Sequence, residues 1–214
     1  KKIRKLADEN EIILIFDECT SGFRETFGGI HKKYKVNPDI AIFGKALGNG
    51  YAITAVIGRK KYMEKATSTF ISSTFWTERI GSAAALKTLE VMERTKSWKT
   101  ITKIGMGIKD QWNKLSKKYD LEISQYGIPA LAGYAFNSKN AQIYKTFITQ
   151  EMLKKDFLAL TAVFSCVDHN KEIINQYFNH LDPIFAIIKE CEEGRQASSI
   201  LNTRVATSTF DRLN

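Results

Sequence analysis

From Ile12 to Phe16 the chain is apolar at every position. An uninterrupted apolar run marks a strand buried on both faces, not one that alternates between core and water. Ile40 to Phe43 repeats the pattern, and Ala52 to Ile57 makes a third run after the turn Gly48-Asn49-Gly50. Ahead of them, residues 1–9 put Ile3 and Leu6 on one face and charges on the other, the spacing of an amphipathic helix. Residues 18–37 form a connection too long for an idle turn and punctuated by Gly22, Gly28 and Gly29. A short helix is expected over 59–66, then a Ser/Thr-rich stretch over 67–77.

Ala83-Ala84-Ala85-Leu86 and Leu89 are strong helix formers and predict a helix from Glu78 to Arg94, with Thr77 as its N-cap and Glu78 in its first turn. A second helix is expected from Trp98 to Lys118. Beyond residue 120 the texture changes. Short strands at 121–124 and 130–136 are joined through Gly127 and Pro129, followed by a helix over 140–154 and an apolar stretch from Phe157 to Cys166. A last long helix is expected over 170–193, kinked or divided by Pro183. The polar tail from Gly194 is expected on the surface. No repeat is evident. The order of elements predicts the second half of an α/β domain over 1–95 and a smaller α+β domain, with its connecting helix, over 96–214.

Composition narrows the functional classes. Of 214 residues, 43% are hydrophobic and 26% charged, ordinary for a soluble globular protein. No apolar run approaches the roughly 20 residues of a membrane span, and Lys1 to Asn10 lacks the pattern of a signal peptide. The net charge is +9, but the lysines are spread along the chain, often beside Glu and Asp. The densest stretch, Lys32-Lys33-Tyr34-Lys35, lies between two strand runs, so neither nucleic acid nor membrane is expected as a partner. Cys19, Cys166 and Cys191 are odd in number and widely spaced, which argues against a disulfide framework or a zinc site and fits a reducing, cytoplasmic setting. His31, His169 and His180 are dispersed without metal-ligand spacing and read as surface or helix residues, so no metal is expected.

The chemistry-bearing pair is Asp17 and Lys45. Each lies just past the C-terminal end of an apolar strand, the edge of an open α/β sheet where ligands bind. A carboxylate can hold the proton of a pyridinium, and an amine can join an aldehyde. Those are the two groups that pyridoxal 5′-phosphate (PLP) asks of a protein. Spacing alone leaves a plainer alternative open, with Asp17 capping a loop and Lys45 exposed in a turn.

The flanking residues carry more. Leu14-Ile15-Phe16-Asp17-Glu18-Cys19-Thr20-Ser21-Gly22-Phe23-Arg24 leads through Gly28-Gly29 to Tyr34-Lys35-Val36-Asn37-Pro38-Asp39 and then Gly44-Lys45-Ala46-Leu47-Gly48-Asn49-Gly50. This series resembles the class III (subgroup II) PLP-dependent aminotransferases, with glutamate-1-semialdehyde 2,1-aminomutase-like enzymes as the nearest kin. The resemblance is dense over residues 1–95 and looser beyond. It implies the C-terminal half of a type I PLP-enzyme fold: part of a large mixed, mostly parallel sheet domain and a small α+β domain.

The resemblance also implies roles. Asp17 takes the place of the pyridine-nitrogen partner and Lys45 that of the Schiff-base lysine. Cys19 stands where the family usually has Val against one face of the ring, a departure that keeps a small apolar contact. Thr20 falls near the ring's phenolic oxygen. Thr74 matches a Thr-Phe that reaches across a homodimer to the other subunit's cofactor phosphate, although the family's Gly-Asn-Pro has here become Thr77-Glu78-Arg79. Glu18 and Arg24 follow the family pattern and are read first as structural. The family's Gly/Ser-rich phosphate turn and its ring-stacking aromatic have no counterpart in this sequence, as expected of a C-terminal half.

The implied activity is amino-group transfer between small-molecule donors and acceptors, by an aminotransferase or a 2,1-aminomutase. The same fold also serves racemases, epimerases and decarboxylases, and a non-catalytic fragment that needs its N-terminal half is a further alternative. The substrate is not specified by these residues.

Overall fold

Ile15–Asp17 (β1) and Ile40–Phe43 (β2) pair in parallel, with Asp17 opposite Ile42. Parallel neighbours need a long crossover, and the stretch after Asp17 supplies it, with one helical turn at His31–Tyr34 (α2). β2 pairs antiparallel on its other side with Ala55–Gly58 (β3), so the sheet is mixed, in the order β1-β2-β3. These coordinates are a computed structural model, and they describe residues 1–72, 74, 75 and 77–207. The chain divides into two compact units, Lys1–Ile101 and the residues from Thr102 onward.

In the first unit the core lies on one face of the sheet. Ala41 and Phe43 of β2 pack with Leu47 and with Ala85 of the helix Ile80–Thr95 (α4). The opposite face carries Ile15 of β1 and Val56 of β3, both about half exposed, as are Ile12 and Ile13. The expectation of strands buried on both faces is therefore corrected for β1 and β3. β1 has one paired neighbour and β3 likewise, and among the described residues the second face of the sheet stays open to solvent. Both strands are shorter than their apolar runs.

Two polar devices hold this unit. Asp39, at the entry to β2, is almost fully buried; it accepts from Arg4 Nη1 at 2.8 Å and from the Leu14 amide at 2.9 Å, with Arg59 Nε at 3.3 Å. Burial alone would raise its pKa, but the Leu14 amide and the two guanidinium groups outweigh burial and hold the carboxyl below its usual range. Arg4 belongs to the amphipathic helix Lys2–Glu9 (α1), so this ion pair ties α1 to the sheet. The second device corrects a capping expectation. α4 begins at Ile80, and it is the Glu78 carboxylate, not Thr77, that receives the free amides of Ile80 (2.6 Å) and Gly81 (3.1 Å). The short helix expected over 59–66 is a turn of α-helix, Lys60–Met63 (α3), followed by a 3-10 segment, Glu64–Ser68.

The helix Ser97–Lys118 (α5) runs across the unit boundary. In the second unit, Ile123–Tyr126 (β4), Leu131–Phe136 (β5) and Ala162–Phe164 (β6) form an antiparallel sheet in that order. Ala141–Leu153 (α6) and Lys171–Glu192 (α7) pack with it around Trp112, Tyr134, Phe136, Tyr144 and Phe185. The rings meet at angles, Trp112–Tyr134 at 4.7 Å and Phe136–Phe185 at 5.4 Å between centroids.

Pro183 does not divide α7. A proline inside a helix costs about 3 kcal/mol or more, but Leu181, Ile184, Phe185 and Ile188 are buried on both sides of it and keep the helix continuous. The tail also departs from expectation. Ala197 and Ile200, in a 3-10 turn, join the core, and the Asn202 amide donates to Gln150 Oε1 at 2.7 Å.

Candidate active site

The sheet brings the candidate residues together because β1 and β2 are parallel and end level with each other. Asp17 is the last residue of β1, and Lys45 follows the end of β2 by two positions. Gly44 is extended; Lys45 itself has φ 44°, a left-handed backbone that a side chain rarely adopts, and it opens a 3-10 turn over Lys45–Leu47. That turn is held close to the chain that follows. A Cβ at Gly48 would lie 2.1 Å from the Tyr51 carbonyl oxygen, so only glycine fits there.

Asp17 and Lys45 are both exposed, on the same edge of the sheet. Asp17 Oδ1 accepts from the Cys19 amide at 3.0 Å. That amide and the Cys19 thiol, aided by the charge of Lys45, outweigh partial burial and hold the Asp17 carboxyl below its usual range. The same contacts act in the opposite sense on Cys19. Its hydrogen bond to Asp17, then burial, push the thiol up against the pull of Lys45, so it stays protonated and is a poor nucleophile. Lys45 Nζ donates to Thr20 Oγ1. Asp17, Cys19, Thr20 and Lys45 thus form one cluster.

Thr74 lies in an exposed turn between Ser73 and Trp76, which are outside the described residues; among the described residues no hydrogen bond joins it to the cluster.

Behind the cluster the chain is pinned. The Glu18 amide donates to Ile42 O and the Gly22 amide to Glu18 O, both at 2.8 Å, and Arg24 Nε donates to Thr20 O at 2.8 Å. The Glu18 carboxylate points into the 18–37 connection. It accepts from the amides of Ile30 (2.5 Å) and His31 (3.1 Å) and from His31 Nδ1 (2.6 Å). His31 is the residue the sequence undervalued. It opens α2, as a helix residue, but its side chain is only 12% exposed, against Glu18, with its ring centroid 6.3 Å from that of Phe16. The signal available was Gly28-Gly29 two positions before it, since glycine marks a place where something approaches the backbone.

The donor set fits PLP. An ionised carboxylate suits a pyridinium, and a lysine amine at the same sheet edge suits an aldehyde.

The sequence profile described as Aminotransferase class-III matches residues 1–161. The chain belongs to the class-III aminotransferase family. Among curated relatives, 3-aminobutyryl-CoA aminotransferase of Cloacimonas acidaminovorans (strain Evry) is 36% identical over 149 residues, which are 69% of this chain and 36% of that protein. Glutamate-1-semialdehyde 2,1-aminomutase of Methanococcus maripaludis (strain C6) is 28% identical over 197 residues, 84% of this chain and 46% of that protein. The chain therefore spans less than half the length of these relatives.

Solved structures agree on the fold. The PLP internal aldimine form of Sphingopyxis sp. MTA144 FumI protein superposes with a TM-score of 0.81 at 22% identity, over 92% of this chain and 49% of that one. An omega-transaminase from Sphaerobacter thermophilus gives 0.76 at 16% identity, over 86% and 46%. The architecture is that of part of a type I PLP-enzyme fold, a mixed α/β arrangement with small sheets.

Proposed function

We propose that this chain carries the lysine and carboxylate of a PLP-dependent amino-group transfer site. The observation that supports it above others is the convergence of Lys45 and an ionised Asp17 on one sheet edge, in a chain of the class-III aminotransferase family. PLP, when bound, supplies an aldehyde to capture the amino substrate and a ring that accepts carbanion charge. Lys45 Nζ would be the amine that holds the cofactor's aldehyde carbon and, when free, would carry the proton from and to the amino-bearing carbon. Asp17 would hold the proton on the pyridine nitrogen. Thr20 Oγ1 orients Nζ, and the protonated Cys19 thiol fills the space beside Asp17.

The donor is an amino compound and the acceptor a carbonyl compound, in keeping with the names of the relatives, an aminotransferase and an aminomutase of a semialdehyde. Whether the reaction is an aminotransfer or a 2,1-amino shift depends on substrate contacts supplied by the rest of the enzyme. A homodimer in which Thr74 reaches the phosphate held by the other subunit, a domain division at 95/96 and a cytoplasmic setting belong to the same proposal.

The test is chemical. The chain, alone or with a polypeptide supplying the N-terminal half of a class-III enzyme, is mixed with PLP and reduced with borohydride, and the pyridoxyl-modified peptide is mapped. Modification concentrates on Lys45, and Lys45→Ala removes it. Label scattered over surface lysines and indifferent to Lys45→Ala overturns the assignment. Labelling that needs the second polypeptide favours a chain that is competent only as half of a site.

A further inference from the structure

We infer that His31 is a positioning residue of the site, acting through Glu18 on the Asp17–Thr20 turn. It rests on the site proposed above. Glu18 stands between Asp17 and Cys19, is 2% exposed, and sends its carboxylate away from the cluster into the 18–37 connection. A carboxylate oxygen has no proton of its own to give, so the hydrogen in the 2.6 Å contact sits on His31 Nδ1. Oε1 takes that hydrogen together with the His31 amide, and Oε2 takes the Ile30 amide and the Ser21 hydroxyl at 3.3 Å.

The imidazole is therefore one of two groups of the same residue that hold one oxygen of a buried carboxylate. The backbone has been cleared for it. A Cβ at Gly29 would fall 2.3 Å from His31 Nδ1 and 2.7 Å from Glu18 Oε1, so the pair occupies the space a side chain would need. Glu18 cannot swing without moving its neighbours: its amide is fixed to Ile42 O, and its carbonyl to the Gly22 amide. The Cys19 amide, which holds Asp17 ionised, follows directly on Glu18. A local anchor at the far end of a twelve-residue hydrogen-bonded loop thus sets the direction of two site residues.

The experiment compares His31→Leu, which keeps the bulk but donates nothing, with His31→Gln, which restores a side-chain donor. Amide hydrogen exchange of the 214-residue chain reads the anchor whether or not PLP is taken up. Failure of the PLP assignment therefore leaves this test intact, and the reverse also holds. Hydrogen bonds to a charged group imply that His31→Leu speeds exchange at Ile30 and at Cys19 about tenfold or more. His31→Gln recovers most of that, and Leu131 to Phe136 in the second unit stay unchanged. The 15N signals of the wild-type ring are expected to show a proton on Nδ1. A His31→Leu variant that loosens Ile30 but leaves Cys19 at its wild-type rate overturns the inference, because His31 would then tie down only the loop. So does a His31→Gln variant no better than His31→Leu, or a bare Nδ1.

Discussion

The two units of this chain spend their residues differently. The second unit gathers Trp112, Tyr134, Tyr144, Ile148, Met152, Leu181, Phe185 and Ile188 at essentially no exposure, and its sheet and helices close around them. The first unit, which holds Asp17 and Lys45, has a small buried cluster of Ala41, Phe43, Leu47 and Ala85. Much of its cohesion is polar: Asp39 with Arg4 and Arg59, and Glu18 with the backbone of Ile30 and His31. Apolar packing is non-directional and tolerates small shifts. Hydrogen-bonded carboxylates fix angles, and a site needs angles. Within this chain, which spans less than half the length of its relatives, the unit that carries the chemistry has the smaller buried cluster and the other the larger.

That contrast can be broken by substitution. The largest effect is expected from Phe185→Ala, since the ring is fully buried against Tyr134 and Phe136. A loss near the upper end of about 3–5 kcal/mol is expected, read as denaturant-dependent hydrogen exchange confined to the second unit. Phe43→Ala in the first unit removes one edge-to-face partner of Phe23. It is expected to cost about 3 kcal/mol, the lower end of the same range, because fewer buried neighbours surround it. Equal losses at the two sites would refute the difference in packing.

Acid sharpens the polar half of the comparison. Asp39 has a lowered pKa in the folded state, so its stabilisation is fully present above the unfolded carboxyl value, about 4, and is lost as pH falls through the lowered value. The first unit is expected to lose stability as pH drops below about 4. Asp39→Asn weakens the unit at pH 7 and flattens that acid limb. An acid limb unchanged in the variant would show that other carboxyls set it. The smallest effect is expected at Asn170, whose side chain caps α7 by accepting from the Ile173 amide at 2.9 Å. Asn170→Ala is expected to cost about 1 kcal/mol, in the second unit alone.

Much of this was legible in the chain itself. The apolar runs placed β2 correctly, and the helix-forming stretches placed α4 and α5 to within a residue or two. What failed shares a cause. Pro183 announced a kink or a division, and packing of Ile184 and Phe185 excludes the division. Thr77 looked the better cap, but the backbone put the Glu78 carboxylate over the free amides. Ile12 and Ile13 promised burial on both faces, and one face of the sheet stands open among the described residues. Each error concerns what a residue meets across space, and local propensity carries no information about that.

The sequence by itself determined the order of elements, the Asp17 and Lys45 positions at strand ends, and the family, because these depend on residue type and on spacing along the chain. Only the tertiary structure decided that the two strands lie parallel and level. It alone put Lys45 Nζ on Thr20, the Cys19 amide on Asp17, and a partly buried His31 behind Glu18. Those contacts join residues two to 25 positions apart through the register of a sheet and the closure of a loop. Their energies are those of geometry, and geometry exists only once the chain has folded.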